Sequence, residues 1–174
     1  MTPPPKEKTQ AQSPQGGAGA APPSPSQAGQ TIPAGVTLSV AVPAGIVQVG
    51  GRVTVEIAVA SSTGVVDAPL HLVYDPALLR YLAATEGEYM KRDGGGTVFL
   101  ANGESRPGDV TIGIGRTDRS RGASGSGTLC RVQFAALAPG TATLTIGPAM
   151  AWAVDGSLLP VTIHAVDIRI TEAG

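Results

Sequence analysis

The stretch PLHLVYDPALLRYLAATEGEY, residues 69–89, decides the fold class of this chain. Its first half alternates apolar and other positions with the period of two that a pleated strand imposes. The apolar positions are Leu70, Leu72 and Tyr74, and the positions between them are His71 and Val73. Asp75-Pro76 ends that strand, because proline donates no ladder hydrogen bond and an aspartate side chain closes a turn on the following backbone. A second apolar run at residues 78–82 predicts another strand, and a partner sheet must cover both.

The same alternation recurs between residues 36 and 170, in segments separated by turns rich in glycine, proline and aspartate. No segment of about ten or more residues sustains a helical period. We therefore predict an all-β fold, a nine- to ten-stranded antiparallel β-sandwich with jelly-roll topology. Two sheets packed face to face would bury the alternating apolar set.

Three finer expectations follow from parity along the later strands. In the strand at residues 128–137, the side chains of Cys130 and Phe134 should point inward and that of Leu129 outward. The same rule buries Trp152. Parity slips near Ala165, which predicts a bulge within the last strand.

Residues 1–34 have a different composition. They hold eight of the 15 prolines, no aromatic residue, and charges only at residues 6–8. Such a segment cannot bury enough apolar area to offset its ordering entropy. We predict a disordered Pro/Gln/Ser/Gly-rich linker over residues 1–34 and one folded domain over residues 35–172.

The overall composition excludes several classes of function. Basic and acidic residues number 12 and 13, without the basic stripe that nucleic-acid binding favours. Aromatic residues make up 3% of the chain, which disfavours stacking platforms for bases or sugars. No apolar run approaches the roughly 18 residues that span a bilayer, and no apolar signal core opens the chain. The single cysteine, Cys130, is expected to be a small core residue.

Two charged segments are candidates for function. The turn KRDGGG at residues 91–96 is glycine-rich, but no helix pattern follows it, so a surface turn is favoured over a phosphate cradle. The segment RTDRSRGASGSG at residues 116–127 gathers Arg116, Arg119 and Arg121 around Asp118. It is either a solvated loop or a charged rim for a partner.

Catalysis and metal binding find little support in the residue pattern. His71 and Asp75 could be half of a triad with Ser124 or Ser126, yet they lie four residues apart across a strand end. The loop aspartates lack the ligand series of a calcium loop. We predict a chain that is not an enzyme and that holds no metal or cofactor.

Five segments carry a resemblance to a known family. They are VGGRVTV at 49–55, LHLVYDPALLRYL at 70–82, GSGTLCRVQF at 125–134, ALAPGTATL at 136–144 and PVTI at 160–163. Together the chain resembles, over residues 35–172, the cohesin domain, the receptor module of cellulosome scaffoldins. The segment GEYMKRDGGGTVFL at 87–100 is similar to a subgroup fused, after a Pro/Gln/Ser-rich linker, to the C-terminus of secretin-like bacterial secretion proteins.

The resemblance implies a non-catalytic module that docks a protein partner on one flat sheet face. That partner is a dockerin, a paired-helix module that carries its own calcium, or another surface protein. Matched by strand, the face would present Thr97 and Phe99 or their neighbours, and a set of contact residues. The contact residues are His71, Val73, Asn102, Thr111, Gly113, Arg116 and Asp118.

The resemblance also implies a location and leaves one alternative open. The expected place is the cell exterior, the cell surface or the outer membrane, with the domain tethered to a larger extracellular or secretion-system protein. Because the fold is shared with some carbohydrate-binding modules, polysaccharide binding is the alternative function.

Overall fold

The computed structural model describes residues 35–43 and 45–174. The predicted linker, residues 1–34, lies outside the described residues, so its disorder stays a prediction. Within the described part, no helix is long and apolar enough to cross a membrane.

Regular structure in the described residues consists of twelve β-strands and one short 3-10 helix, Tyr89–Lys91. The strands are β1 (Val36–Ala41), β2 (Ile46–Gln48), β3 (Arg52–Asp67), β4 (Leu70–Val73), β5 (Leu79–Glu86), β6 (Thr97–Asn102), β7 (Asp109–Arg116), β8 (Ala123–Ala136), β9 (Gly140–Ala149), β10 (Trp152–Ala153), β11 (Val161–His164) and β12 (Val166–Thr171).

The strands form two series of paired neighbours, each of which we call a ladder. One runs β11-β1-β3-β8-β5, and the other runs β6-β7-β4-β9-β12-β2. The ladders join where Asp67, at the end of β3, pairs with Gly115 of β7, and β10 pairs with the same end of β3. The prediction of an all-β sandwich is confirmed.

Strand number and direction differ in detail from the expectation. β1 runs parallel to β11, and β2 runs parallel to β12. The chain passes from one ladder to the other between β1 and β2, and again at Ala165 between β11 and β12. Ala165 is therefore not a bulge in one strand, because the single strand expected at the end of the domain is divided into β11 and β12. The sequence pattern did not predict β2.

In the stretch at residues 69–89, the chain passes from one ladder to the other. β4 pairs with β7 and β9, whereas β5 pairs with β8. Between them the Asp75 carboxylate accepts a hydrogen bond from the amide of Ala77 at 2.9 Å, and the Asp75 carbonyl accepts from the amide of Leu79 at 3.0 Å. The turn predicted from Asp75-Pro76 is formed by these bonds.

The core lies between the ladders and follows the predicted alternation, with two corrections. Leu129 is fully buried, because the β3–β8 register shifts between Ile57 and Ala58 and turns Leu129 inward at a bulge. Trp152 is only half-buried, because it lies in a two-residue strand at the end of β3. Cys130 is buried as predicted, and burial raises the pKa of its thiol to about 12.

The turn predicted at residues 91–96 lies at the surface, with only Gly95 half-buried, whereas the residues just before it are anchored in the core. Tyr89 and Met90 are fully buried, and the Tyr89 hydroxyl donates to the carbonyl of Ala123 at 3.0 Å. Burial raises the pKa of Tyr89 to about 12. The Glu88 carboxylate accepts the amide of Thr128 at 2.8 Å, a bond that lowers the pKa of Glu88. This segment therefore ties β8 to the start of β6.

Candidate partner-binding face

We call the outer surface of the ladder that contains β6, β7, β4 and β9 the front face. Its residues are those that alternate with buried ones along β7, β4 and β9 and with half-buried ones along β6. They are Val98, Leu100 and Asn102 on β6, Asp109, Thr111, Gly113 and Gly115 on β7, His71 and Val73 on β4, and Thr141, Thr143, Thr145 and Gly147 on β9.

One half of the front face is apolar and flat. Val98 and Leu100 are 53% and 69% exposed. They lie directly opposite Gly115 and Gly113 in the β6–β7 register. A Cβ atom built on Gly113 would meet nothing within 4 Å. These residues line a shallow depression of about 240 Å³, with the charged side chains of Asp67 and Arg119 also in its lining. Its floor is open above Gly113, whereas a Cβ on Gly115 would lie 2.9 Å from the Asp67 carboxylate.

The other half of the front face is polar. His71 Nδ1 lies 2.8 Å from a carboxylate oxygen of Asp109 and 3.5 Å from the Thr111 hydroxyl. Arg106 reaches the second oxygen of Asp109 at 3.6 Å. A depression of about 280 Å³ lies among these side chains and Asn102. This half offers hydrogen-bonding groups next to the apolar half.

Five of the predicted contact residues lie on the front face. They are His71, Val73, Asn102, Thr111 and Gly113. His71 is directly opposite Thr111 in the β4–β7 register. Asn102 uses much of its side chain locally, because its carbonyl oxygen accepts the amides of Glu104 and Ser105 at 3.1 Å.

Arg116 is a correction, because the structure buries it. Its side chain is 1% exposed. Nη1 donates to the carbonyl of Met90 at 2.7 Å, and Nη2 contacts Asp93 at 2.8 Å. That hydrogen bond holds the pKa of the Asp93 carboxyl below its usual value. The alternation that buries Ile112 and Ile114 also points Arg116 inward, so parity already carried this signal.

Asp118 lies in the loop after β7, and its exposed carboxylate is used within that loop. It accepts the Ser120 hydroxyl at 2.6 Å and the Ser120 amide at 3.0 Å. The Ser120 hydroxyl is the main cause of its lowered pKa. Arg119, one residue further, reaches Asp67 at 3.6 Å beside the apolar depression.

The sequence left open whether Thr97 and Phe99 or their neighbours face outward, and the structure exposes the neighbours, Val98 and Leu100. Thr97 and Phe99 point toward the core and are half-buried, so their neighbours carry the front face. Because β6 follows a run of glycines, the sequence does not determine which of its alternate residues face outward. Pairing with β7 fixes it.

The imagined triad does not assemble. His71 pairs with Asp109 and not with Asp75, and the nearby Thr111 hydroxyl faces the same ring nitrogen as the carboxylate. Ser124 and Ser126 belong to β8, and their carbonyls accept the Arg92 guanidinium. Among the described residues, no group of three or more His, Cys, Asp or Glu side chains could hold a metal ion.

The aromatic side chains offer little to a sugar. The chain has two phenylalanines, three tyrosines and one tryptophan, and all lie in the described part. Each of them is buried or half-buried. A sugar site that stacks a pyranose ring needs an exposed aromatic face, and none of these residues falls in the exposed class.

We call the outer surface of the β11-β1-β3-β8-β5 ladder the back face. It presents small and polar residues such as Thr37, Ser39 and Ala58 around a depression of about 310 Å³. It carries an ion pair, with Arg131 at 3.2 Å from Glu56. It resembles an ordinary solvated sheet surface.

Comparison with known proteins adds a family to this geometry. A family model described as "Cohesin domain" matches residues 27–170. A search of curated proteins finds no match.

Solved structures share the fold at low identity. A cohesin module of a family 33 glycoside hydrolase from Clostridium perfringens is 16% identical, with a TM-score of 0.64 over 78% of this chain and 98% of that one. A non-cellulosomal cohesin from the archaeon Archaeoglobus fulgidus is 20% identical, with a TM-score of 0.63 over 79% and 92%. A type I cohesin–dockerin complex from Clostridium thermocellum contains a chain that is 13% identical, with a TM-score of 0.66 over 82% and 97%.

Proposed function

The chain belongs to the cohesin domain family, and on that premise we propose that its front face docks a dockerin or a dockerin-like helical partner. The function is non-catalytic binding. The observation that carries the proposal is the exposure of Val98 and Leu100 beside Gly113 and Gly115 on one flat half of the sheet. Exposed apolar patches bounded by polar residues mark interaction sites.

The two halves of the front face suggest separate roles. A helix lying across β6 and β7 could bury Leu100 and place its backbone close to Gly113, where no side chain intervenes. The His71–Asp109 pair and the Thr111 hydroxyl would meet polar groups at one end of that helix. Apolar burial would supply affinity, and the polar end would fix orientation.

The test begins by identifying the partner. The immobilised domain captures proteins secreted by the source organism, and the captured protein is identified, purified and titrated calorimetrically with calcium present. We expect Leu100→Asp to weaken binding about 30-fold, because it places a charge where apolar area is buried.

Ile46→Asp is the matched control. Ile46 is 63% exposed but lies on β2, at the far edge of the same ladder and about 24 Å away across five strand spacings. It should change affinity less than about twofold. Equal losses in both variants, or none in Leu100→Asp, would contradict the proposal.

The dependence of binding on calcium distinguishes the expected dockerin from this domain. The described part of this chain has no cluster of metal ligands, whereas the expected dockerin carries its own calcium. Chelation should therefore abolish binding without changing the melting temperature of this domain alone. A drop in the domain's own melting temperature would place the metal on this chain instead.

A wider context is also proposed. The proline- and glutamine-rich composition of residues 1–34 supports a tether to a larger extracellular or secretion-system protein, including a secretin-like one. The same resemblance supports a location at the cell surface or outer membrane. Cell fractionation with an antibody to the domain tests this, and recovery in the cytosol alone would reject it.

Polysaccharide binding is the weaker alternative. It would need an exposed aromatic face, whereas each aromatic residue of the chain is buried or half-buried. Retardation of the domain in gels containing soluble polysaccharides, retained in Leu100→Asp, would revive it at a different site.

A further inference from the structure

β6 is an edge strand that lacks protection. It pairs only with β7 and terminates its ladder among the described strands. Its six residues, TVFLAN, include no charge and no proline, and its register with β7 shows no bulge. Such an edge presents unpaired backbone groups to any strand that can reach it.

The other edges in the described residues carry the usual protections. β5 has Arg80 and Glu86 and a register shift between Tyr81 and Ala83. β2 is three residues long, and β11 is four residues long and follows Pro160. Natural sheets block their edges with charge, bulges, proline or shortness, so β6 differs from the rest.

The free backbone groups of β6 can be assigned. The amide of Thr117 donates to the carbonyl of Gly96 at 3.0 Å, and the register places these two residues directly opposite each other. Along an antiparallel ladder, opposite residues that share hydrogen bonds alternate with residues whose groups point away. The N–H and C=O groups of Thr97, Phe99 and Ala101 therefore point away from β7.

The inward side chains of β6 support an open edge. Thr97, Phe99 and Ala101 are only half-buried, whereas the inward residues of neighbouring β7, such as Ile112 and Ile114, are fully buried. An aromatic ring thus remains partly exposed along the same edge as the free backbone groups. A strand added there would cover it.

We propose that β6 pairs antiparallel with the β6 of a second copy of this chain, with Phe99 on the two-fold axis. This register sets Thr97 opposite the partner copy's Ala101 and forms about six backbone hydrogen bonds, using every free group of those three residues. It also brings Val98 against Leu100 of the second copy, as close apolar cross-strand pairs. Any register shifted by one residue would place these apolar side chains on opposite faces.

The second copy is the favoured occupant because the edge complements itself. It is uncharged, so two copies meet without like-charge repulsion, and its apolar residues pair with each other. A single strand edge buries less than the roughly 800 Å² per partner of a standard interface, so the dimer should be weak and depend on concentration.

Sedimentation velocity tests the proposal from about 1 µM to about 1 mM, the range of weak association. The dimeric fraction of the wild-type chain should rise as the concentration rises. Ala101→Pro removes an N–H that faces the edge and should raise the dimer dissociation constant about tenfold or more, whereas Ala101→Val keeps that N–H and should not. A wild-type chain that stays monomeric at about 1 mM, or a dimer indifferent to Ala101→Pro, would overturn the proposal.

A cross-linking experiment fixes the register without relying on the proline variant. Two single variants, Val98→Cys and Leu100→Cys, are mixed in equal amounts under mild oxidation. In the proposed register residue 98 of one copy lies opposite residue 100 of the other, within disulfide range. The native Cys130 is buried, and its raised pKa of about 12 keeps it unreactive. The mixed dimer should exceed either homodimer about tenfold, and equal yields would reject the register.

One further variant separates this inference from the proposed function. Gly113 lies one strand inside the edge and has open space above it. Gly113→Lys should abolish partner binding and leave the dimer intact, and Ala101→Pro should do the reverse. If Gly113→Lys loses the partner but the wild type never dimerises, only this inference is rejected. If the wild type dimerises but binds no partner at the front face, only the proposed function is rejected.

Discussion

The front and back faces are built on the same core but present different chemistry. On the back face, Arg131 pairs with Glu56 at 3.2 Å, and small polar residues fill the space between strands. On the front face, Leu100 stands 69% exposed beside a glycine. The fold requires neither arrangement, because both sets of side chains point away from the core. This apolar exposure is the basis for the proposed docking site.

The support beneath the two faces differs as well. Behind the end of β7, Arg116 is buried and bonded to Met90 and Asp93. The corresponding charged pair of the back face lies in solvent, with both side chains more than a third exposed. A buried arginine holds its neighbours in place, whereas an exposed pair contributes little to stability.

The largest expected effect is the loss of stability when the buried arginine behind the front face is removed. Arg116→Ala should lower the free energy of unfolding by about 3 kcal/mol, because it leaves a buried carbonyl and a carboxylate without their partner. Arg131→Ala, on the back face, should cost less than about 0.5 kcal/mol. Urea denaturation measures both, and similar losses would mean that the two pairs are equivalent.

The next effect concerns the polar half of the front face. The double variant His71→Ala, Thr111→Ala should weaken partner binding about tenfold, since it removes the imidazole and hydroxyl next to Asp109. The back-face double variant Thr37→Ala, Ser39→Ala should leave the affinity unchanged. A partner held equally well by the first variant would remove His71 and Thr111 from the contact set.

The smallest effect is a dependence of stability on pH. The pKa of Asp93 is lowered chiefly by its hydrogen bond to Arg116. Its contribution to stability is therefore complete above the ordinary value of 3.8 and is lost as pH falls through the lower folded value. Denaturation from about pH 6 to about pH 2 should show less acid destabilisation in Asp93→Asn than in the wild type. An unchanged slope would mean that Asp93 titrates alike in both states.

Much of the fold follows from local pattern. Alternation at Leu70 and Leu72 and the turn at Asp75-Pro76 predict β4 and its end, and the same period predicts most other strands. The sheet crossing at Ala165 and the bulge at Leu129 depend on which strand pairs with which, a long-range property that periodicity does not carry.

The site was predicted less completely for a similar reason. His71, Thr111 and Gly113 lie on the front face because their parity is set by buried neighbours within each strand. β6 follows a glycine run and has apolar residues at both parities, so only its register with β7 identifies Leu100 as outward. The resemblance, matched by strand, includes Arg116 among the contact residues, although its parity with Ile114 places it inward.

The most direct test of the central claim is a nuclear magnetic resonance titration of the isotopically labelled domain with its purified partner. If the front face is the docking surface, the largest amide shift changes should fall on Leu100, Gly113 and Thr111, while Ala58 and Gln133 on the back face stay unchanged. Changes concentrated on β3 and β8, with β6 and β7 silent, would contradict the account.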